Sequence, residues 1–571
     1  MKASDYIVEF LYTQGVHHVF LLIGGMITHL VDSLNRQGKI QIINVHHEQA
    51  AAFAAEGMAR ISGVPGVAMA TSGPGATNLI TGIGSCFFDS YPAVFITGQV
   101  NLNEQKGDRI IRQFGFQETD IVSIVTPITK AAWRINSPDE LPEILEKAFV
   151  LSCAGRPGPV LLDIPMDIQR ADITSPINKL EFDHGDFNHE NVSGLLADLR
   201  SAKRPLILAG GGIRSAQVID QFRRFVDLVK VPVVNSLMAV DALPYNNLLR
   251  IGMLGSYGNR WVNLAVSRSD FLLILGSRLD IRQTGANTIA FKGDRKIYHV
   301  DCEQGELNNR IQGSFTILAH LRPFLDEVIK QSLSQKFHER HKWLAEIGEL
   351  KSKWPDTAEL RDIPGINPNS LMHQISKVSK QANAFVVDVG NHQMWAAQSL
   401  EISSHQRFIT SGGMGAMGFA LPTAIGISLA SPDQPVVLIA GDGGFQVNIQ
   451  ELQTVVRNSL PIKMIILNNH SLGMVRQFQQ SYFGERYQST YWGYSTPDFA
   501  KVAQAYGISA HSIVEPEEVQ TALELMWQNP KSPFLLEVSI DTFANAYPKL
   551  AFGHTIAEME PFVKPLDMEG T

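Results

Sequence analysis

Cysteine is scarce. The 571 residues contain three, Cys86, Cys153 and Cys302, and no two of them form a CxxC pair. That excludes a disulfide framework and offers no zinc-ligand spacing. No apolar run is long enough to cross a bilayer. Net charge is −8 and no basic stripe stands out, which excludes the nucleic-acid-binding class. The opening MKASDYIVEFLYTQG carries acids inside an amphipathic pattern and lacks a signal peptide's apolar core, so a reducing cytoplasm is expected. No GxGxxG follows a first strand with an acid about twenty residues on, which argues against an NAD enzyme. The 28 prolines and 46 glycines are spread rather than clustered, so no long disordered segment is indicated.

What remains is an ordinary globular composition, 44% hydrophobic and 18% charged, with length for about three or four domains. The most informative stretch runs from Val436 to Met474. Val436 to Ala440 is a β-branched apolar run that stops at Gly441-Asp442-Gly443-Gly444, read here as a tight turn. Asn448 to Arg457 has a helical apolar period, and Met464 to Leu467 is a second strand ending at Asn468-Asn469. Two parallel strands joined by a crossover helix usually lie side by side, with their carboxyl ends at the rim where α/β sheets bind ligands. Asp442 and Asn469, 27 residues apart, become neighbouring oxygen donors there. Glycines admit an anion to the backbone, and Mg²⁺ favours a few protein oxygens plus phosphate. The plainer alternative makes GDGG only a turn and NN only a helix cap. The two elements bracket a complete βαβ unit, which favours the metal–diphosphate reading, and the spacing resembles the GDG…NN motif of thiamine diphosphate (ThDP) enzymes.

The first third repeats the strand–loop–helix style. A strand over 16–23 ends at Gly24-Gly25, and a second over Ile40 to Val45 runs into the alanine-rich helix HEQAAAFAAEGMAR. Glu48 opens that helix. An acid in a first helical turn is commonly a dipole-favoured residue and nothing more. The small-residue surface behind it suggests a buried helix, and a carboxyl at such a mouth can hold or share a proton. Val67 to Ala70 leads into Thr71 to Asn78, by itself a weak anion-loop signal. Further on, Gly210-Gly211-Gly212 after a strand is either a nucleotide site or tight strand–helix packing. Residues after Asp172 to about Asn191, and Lys351 to Pro368, read as linkers.

With these residues in place, the sequence resembles the acetolactate synthase family of ThDP enzymes over nearly its whole length. HEQAAAFAAEGMAR, SGPGATNL, FQETD, RPGPVLLDIPMD, DVGNHQMWAAQ, TSGGMGAMGFALPTAIG, GDGGFQVNIQEL and LGMV carry the likeness, in order. It implies an α/β chain of three doubly wound, Rossmann-like domains. These are a pyrimidine-binding domain over 1–172, a middle FAD- or nucleotide-binding-like domain over 190–335, and a diphosphate-binding domain over 365–545. A tail over 546–571 is able to act as a lid. Glu48 would activate the cofactor, since a carboxyl beside pyrimidine N1′ promotes the imino form that deprotonates the thiazolium carbon. Phe116, Gln117 and Lys130 would line the catalytic entrance. Gly25, Pro74, Asn78, Gln393, Gly441, Gly443, Gly444 and Met474 would contact ThDP, with Met417 as its prop. Asp442, Asn469 and the Ser471 carbonyl would hold Mg²⁺. FAD would lie against Gly211, Arg278, Arg282 and Asp301, the alternative for Arg278 being a surface ion pair. Members are homodimers or homotetramers with the active site between chains.

The sequence departs from the family pattern in four places, all where an acceptor would enter. Leu21-Leu22-Ile23-Gly24-Gly25 replaces FGYPGG, Phe478 replaces a tryptophan, Ile281 replaces an acid before Arg282, and Met253 to Gly258 alters MLGMHG. Arg282, Val475 and Phe478 are the expected substrate contacts. The implied reaction is decarboxylation of pyruvate and transfer of the two-carbon unit to a second carbonyl. Alternatives are a nucleotide-linked keto sugar as acceptor, simple 2-keto acid decarboxylation, and a ThDP- or nucleotide-binding regulator without activity.

Overall fold

The computed structural model describes residues 1–181 and 192–568. The linker expected after Asp172 falls partly outside them, as do the last three residues of the tail. The chain gathers into two compact units. One is Met1–Asp183 with Ser411–Val436 and Gln446–Ile462, and the other is His184–Thr410 with Val437–Phe445 and Lys463–Thr571.

The first unit is built on strands β1 (His18–Leu22), β2 (Gln41–Asn44), β3 (Gly66–Ala70), β4 (Ala93–Gln99), β5 (Ala131–Arg134) and β6 (Pro159–Pro165). Their order is β2-β1-β3-β4-β6-β5, and every pairing is parallel. Strands β3, β4 and β6 are buried along their whole length, as a parallel sheet covered on both faces requires. The order turns at β1, which makes β1, β2 and β3 the switch point, and ligands bind outside the carboxyl ends of such strands. Gly25 follows β1, Glu48 follows β2, and Pro74–Asn78 follows β3. The helix Glu48–Ser62 buries its alanines against the helix Ala420–Ala430. Small residues make the approach possible. A Cβ on Gly426 would stand 1.9 Å from the Ala54 carbonyl oxygen, and one on Gly57 would stand 2.4 Å from that of Thr423.

The second unit holds two more six-stranded sheets. The first has β7 (Pro205–Ala209), β8 (Val233–Asn235), β9 (Arg250–Met253), β10 (Phe271–Leu275), β11 (Lys296–Asp301) and β12 (Phe315–Leu318), ordered β12-β11-β10-β7-β8-β9. The other has β13 (Ala384–Val387), β14 (Arg407–Thr410), β15 (Val436–Gly441), β16 (Ile462–Asn468), β17 (Ser509–Ile513) and β18 (Phe534–Ser539), ordered β14-β13-β15-β16-β18-β17. The doubly wound α/β class expected from the sequence is thus present three times. A hairpin of β19 (Lys549–Leu550) and β20 (Met559–Glu560) closes the described chain.

Local readings change in several places. The GDGG stretch is not a turn, because a helix, Asp442–Val447, starts at Asp442 itself. An acid in the first turn complements the dipole, and glycines cost least where backbone N–H groups are still unpaired. The helix expected over Asn448 to Arg457 is a 3₁₀ turn, Ile449–Glu451, followed by Leu452–Arg457. The loop expected through Asn78 coils into the helical turn Pro74–Asn78, with proline at its first position. The glycine triplet packs tightly: a Cβ on Gly210 would lie 2.0 Å from the Gly276 carbonyl oxygen, and one on Gly212 would lie 2.8 Å from its Cα. Gly211 faces Met238 in the same way, at 3.0 Å. The stretch Lys351 to Pro368, expected as a linker, is pinned: Arg260 grips Glu359 with two bonds of 2.7 and 2.8 Å, and Asp356 accepts from Ser399 Oγ at 2.5 Å.

Candidate active site

Strands β15 and β16 are neighbours in their sheet, so Asp442 and Asn469 emerge on one rim as expected. The Ser471 N–H lies between them, 3.2 Å from Asp442 Oδ2 and 3.3 Å from Asn469 Oδ1. Asp442 Oδ1 also accepts from the Gly443 N–H at 2.7 Å. Burial pushes the Asp442 carboxyl up to about 6, against the lowering effect of those bonds. The Ser471 carbonyl accepts from the Gly473 N–H at 2.9 Å and keeps a second lone pair. Gly473 has no room for a side chain, since a Cβ would stand 2.7 Å from Asn391 Nδ2 and 2.9 Å from Asn469 Nδ2.

Two buried polar atoms in this region, Ser471 Oγ and Asn391 Oδ1, have no hydrogen-bond partner among the described residues. Tyr494 stands close enough to Asp442 that burial first, and then this carboxylate, raise its phenol. Buried groups of this kind are normally satisfied, so the rim is built for something polar. No three His, Cys, Asp or Glu side chains converge among the described residues. One carboxylate, one amide oxygen and one carbonyl is instead the sparse oxygen set that suits Mg²⁺ with phosphate completing its shell.

The two strands beside this rim supply its supports. His392 accepts the Gly441 N–H on Nε2 at 3.2 Å. Burial drives its pKa down to about 3, so the ring is neutral and can accept. A Cβ on Gly441 would stand 2.9 Å from His392 Nδ1, and one on Gly444 would stand 2.4 Å from Asp388 Oδ1. The glycines therefore serve close packing against β13's end as much as backbone access for an anion. Gln393 is buried in the helix Asn391–Ser399 and donates to Thr410 Oγ1 at 2.7 Å. Met474, Val475 and Phe478 ride on the helix Gly473–Tyr482, with Val475 exposed and the other two half-buried.

In the first unit, Glu48 is 5% exposed and its Oε2 accepts from Asn78 Nδ2 at 2.9 Å. A Cβ on Gly75 would come within 3.2 Å of its Oε1, so SGPGATN is shaped around this carboxyl. Gln117 sits in left-handed backbone, φ 63°, with its Cβ against Gly73. Phe116 is 78% exposed. The Lys130 ammonium is committed to the carbonyls of Ala154 and Arg156. Gly25 opens a 3₁₀ turn with free space around its Cα.

Met417 is partly exposed, on a loop held from both ends. Asp89 accepts the N–H groups of Gly412 (3.1 Å) and Gly413 (2.6 Å), and is itself paired with Arg60 at 2.7 Å. Asn448 donates to the Gly418 carbonyl at 2.8 Å and lies 3.3 Å from Gln49 Oε1, next to Glu48. Asp89, Asn391, His392, Asn448 and Tyr494 were not singled out from sequence. Only the DVGNHQ stretch carried a signal, a run of polar residues at a strand end.

Elsewhere in the second unit, Arg278, Asp280, Thr288, Glu306, Asn309 and Arg310 line a cavity of about 550 Å³ beyond β10. Arg278 is 3.8 Å from Asp280, which caps the helix Ile281–Thr284. Asp301 ends β11, buried, with its Oδ1 accepting from the Glu303 N–H at 3.0 Å. Arg282 is exposed, and its carbonyl accepts the Ser256 N–H at 2.5 Å.

Comparison with known proteins agrees domain by domain. Residues 1–124 match the thiamine pyrophosphate enzyme N-terminal TPP-binding domain, 192–328 the central domain, and 388–538 the C-terminal TPP-binding domain. Three such sheets in this order, with this rim, define a ThDP-dependent enzyme. The acetolactate synthase isozyme 2 large subunit of Escherichia coli K12 is 38% identical, covering 98% of this chain and 99% of its own. The large subunit of Lactococcus lactis is 36% identical over 98% and 96%, and acetolactate synthase 2, chloroplastic, of Nicotiana tabacum is 35% identical over 97% and 84%. The chain belongs to the acetolactate synthase large-subunit family and is a ThDP-dependent carboligase.

Proposed function

We propose that this chain removes CO₂ from pyruvate and joins the remaining two-carbon unit to a second carbonyl, as an acetolactate synthase-like carboligase. The convergence of Asp442 and Asn469 on one Ser471 N–H, beside Ser471 Oγ and Asn391 Oδ1, which have no partner among the described residues, carries the reading. Asp442, Asn469 and the Ser471 carbonyl would hold Mg²⁺ against the coenzyme's diphosphate. Bound thiamine diphosphate supplies an electron sink for the two-carbon unit, chemistry no side chain can provide. Glu48, held by Asn78, would be the carboxyl that handles the proton when the coenzyme is bound, and Met417, on a loop fixed by Asp89 and Asn448, would prop it.

FAD in the cavity beside Arg278 belongs to the same proposal. Its volume lies in the range of cofactor sites, and Arg278 and Arg310 can meet a pyrophosphate. A homodimer or homotetramer, with each coenzyme held between chains, completes it, and a reducing cytoplasm suits a chain with only three cysteines and no CxxC pair. No helix among the described residues is long and apolar enough to cross a membrane.

The test is CO₂ release and product mass from pyruvate, with wild type and Glu48→Gln. Wild type should give an acyloin, and the variant should keep its fold and Mg²⁺–ThDP binding yet lose about a hundredfold or more in rate. Turnover near the parent level would refute the role of Glu48. Acetaldehyde as the sole product would replace the carboligase by a decarboxylase. The visible spectrum of the purified protein reads the flavin, and sedimentation reads the assembly.

A further inference from the structure

Three of the four places where the chain departs from its family's pattern meet in the second unit, and the C-terminal hairpin joins them. The Ser256 N–H donates to the Arg282 carbonyl, and the Leu550 N–H donates to the Ser256 carbonyl at 2.8 Å. That places β19 directly on the altered 253–258 segment. Across the hairpin, Lys549 pairs in register with Glu560, their charged atoms 2.8 Å apart and both residues buried, 8% and 6% exposed. The Lys549 ammonium lies over the Tyr482 ring, 5.1 Å from its centre, and Tyr482 packs on Phe478 at 4.8 Å. Ser481 Oγ donates to Glu560 Oε2 at 3.2 Å. The Tyr257 phenol is raised by burial first and lies within electrostatic reach of Arg282, Glu560 and Tyr482.

The ion pair is poorly spent. Lys549 Nζ and Glu560 Oε1 are close, but neither has an aligned hydrogen bond among the described residues. Burying two charges costs several kcal/mol unless further bonds satisfy them. A hairpin that needed only a clasp would do better with two apolar side chains. A purely aliphatic 2-keto acid would leave Lys549 Nζ and Glu560 Oε1 with only their misaligned pairing. An acceptor bearing neighbouring hydroxyls would add aligned bonds to both, donating to the carboxylate and accepting from the ammonium. Burial above all holds both the Tyr257 and Tyr482 phenols at about 12, so they remain protonated donors. The faces of Phe478 and Tyr482 offer the apolar side that the C–H groups of a sugar-like chain require.

We propose that Lys549 and Glu560, with Tyr257 and Tyr482, form the polar wall of the acceptor subsite and select a carbonyl compound carrying neighbouring hydroxyl groups. This rests on the donor reading given above. In the step itself the C1–C2 bond of pyruvate breaks and CO₂ leaves. The electron pair left on C2 forms the bond to the acceptor's carbonyl carbon, whose oxygen takes up a proton. The reaction is redox-neutral and yields a hydroxy-ketone.

The experiment uses the full chain loaded with ThDP and Mg²⁺, pyruvate as donor, and D-glyceraldehyde or 2-oxobutanoate as acceptor. Ferricyanide reduction in the absence of acceptor reads the donor half separately. Wild type should prefer D-glyceraldehyde by about tenfold or more in kcat/KM, the scale of one charge-assisted hydrogen bond. Glu560→Gln and Tyr482→Phe should raise the D-glyceraldehyde KM about tenfold while shifting the 2-oxobutanoate KM and ferricyanide reduction far less. A merely structural clasp would move all three readouts alike, and that result overturns the proposal. Equal use of both acceptors by wild type also overturns it. If Glu560→Gln fails to fold, Tyr482→Phe and Lys549→Arg decide: an unchanged acceptor preference in both refutes the wall. Wild type without ferricyanide reduction refutes the donor reading, and this inference falls with it, whereas intact reduction with an unaltered preference refutes this inference alone.

Discussion

Asp442 illustrates how much the rim depends on single residues. Its carboxylate is buried, accepts the Gly443 and Ser471 N–H groups, and is held up at about 6 by burial. A bound Mg²⁺ would favour its charged form. Asp442→Asn should therefore raise the Mg²⁺ concentration for half-maximal thermal stabilisation by about tenfold or more, read by melting a metal-stripped sample against added Mg²⁺ and ThDP. Gly444 carries a different constraint, because any Cβ there strikes Asp388 Oδ1 at 2.4 Å. Gly444→Ala should cost about 1–3 kcal/mol in denaturant unfolding, the usual penalty of overpacking. At this scale Asp442 and Asn469 were legible in the sequence, because one βαβ unit carries both and its strands must be neighbours. Asn391 and Tyr494 were not, since other segments bring them to the same rim and no local pattern marks them.

The element scale shows charge used as a fastener. His373, on the helix Pro368–Val378, bridges Asp356 at 2.9 Å and Glu401 at 2.8 Å. Burial by itself would lower its pKa, but the two carboxylates outweigh that and raise it above the usual 6.5. A raised pKa means the folded state holds the proton more tightly. The stabilisation is complete below the unfolded value and fades as pH rises through the folded one. The melting temperature of His373→Gln should thus fall furthest below wild type near pH 6 and approach it at alkaline pH, measured by calorimetry across that range. The buried Arg60–Asp89 pair fastens the Met417 loop, so Asp89→Ala should destabilise by about 3–5 kcal/mol in chemical denaturation. Strands were read correctly from their β-branched runs. The glycine-rich starts of helices were misread as turns or loops at GDGG and SGPGATN, because glycine signals a turn unless neighbouring strands hold the backbone helical. The triplet at Gly210 had two readings, and only the contact with Gly276 shows what it packs against.

Within the second unit, one cation ties two distant stretches of chain together. Arg260 grips Glu359 and also donates to the Glu560 carbonyl at 2.9 Å, with Trp354 and Phe562 over its guanidinium. It thus secures both the supposed linker and the tail. Arg260→Lys cannot reproduce the fork and should lower stability by about 1.5–3 kcal/mol, visible as a lower urea midpoint. The sequence by itself determined the class of fold and set Asp442 and Asn469 on one rim, because periodicity and a single crossover unit are local, while its ordered motifs carried the likeness to the coenzyme's family. Tertiary structure decided which buried groups prop that rim, that the tail hairpin is built onto the segment 253–258, and that Lys549 faces Glu560 there. Those contacts join residues up to hundreds of positions apart, and only the packing of the sheets brings them within bonding distance.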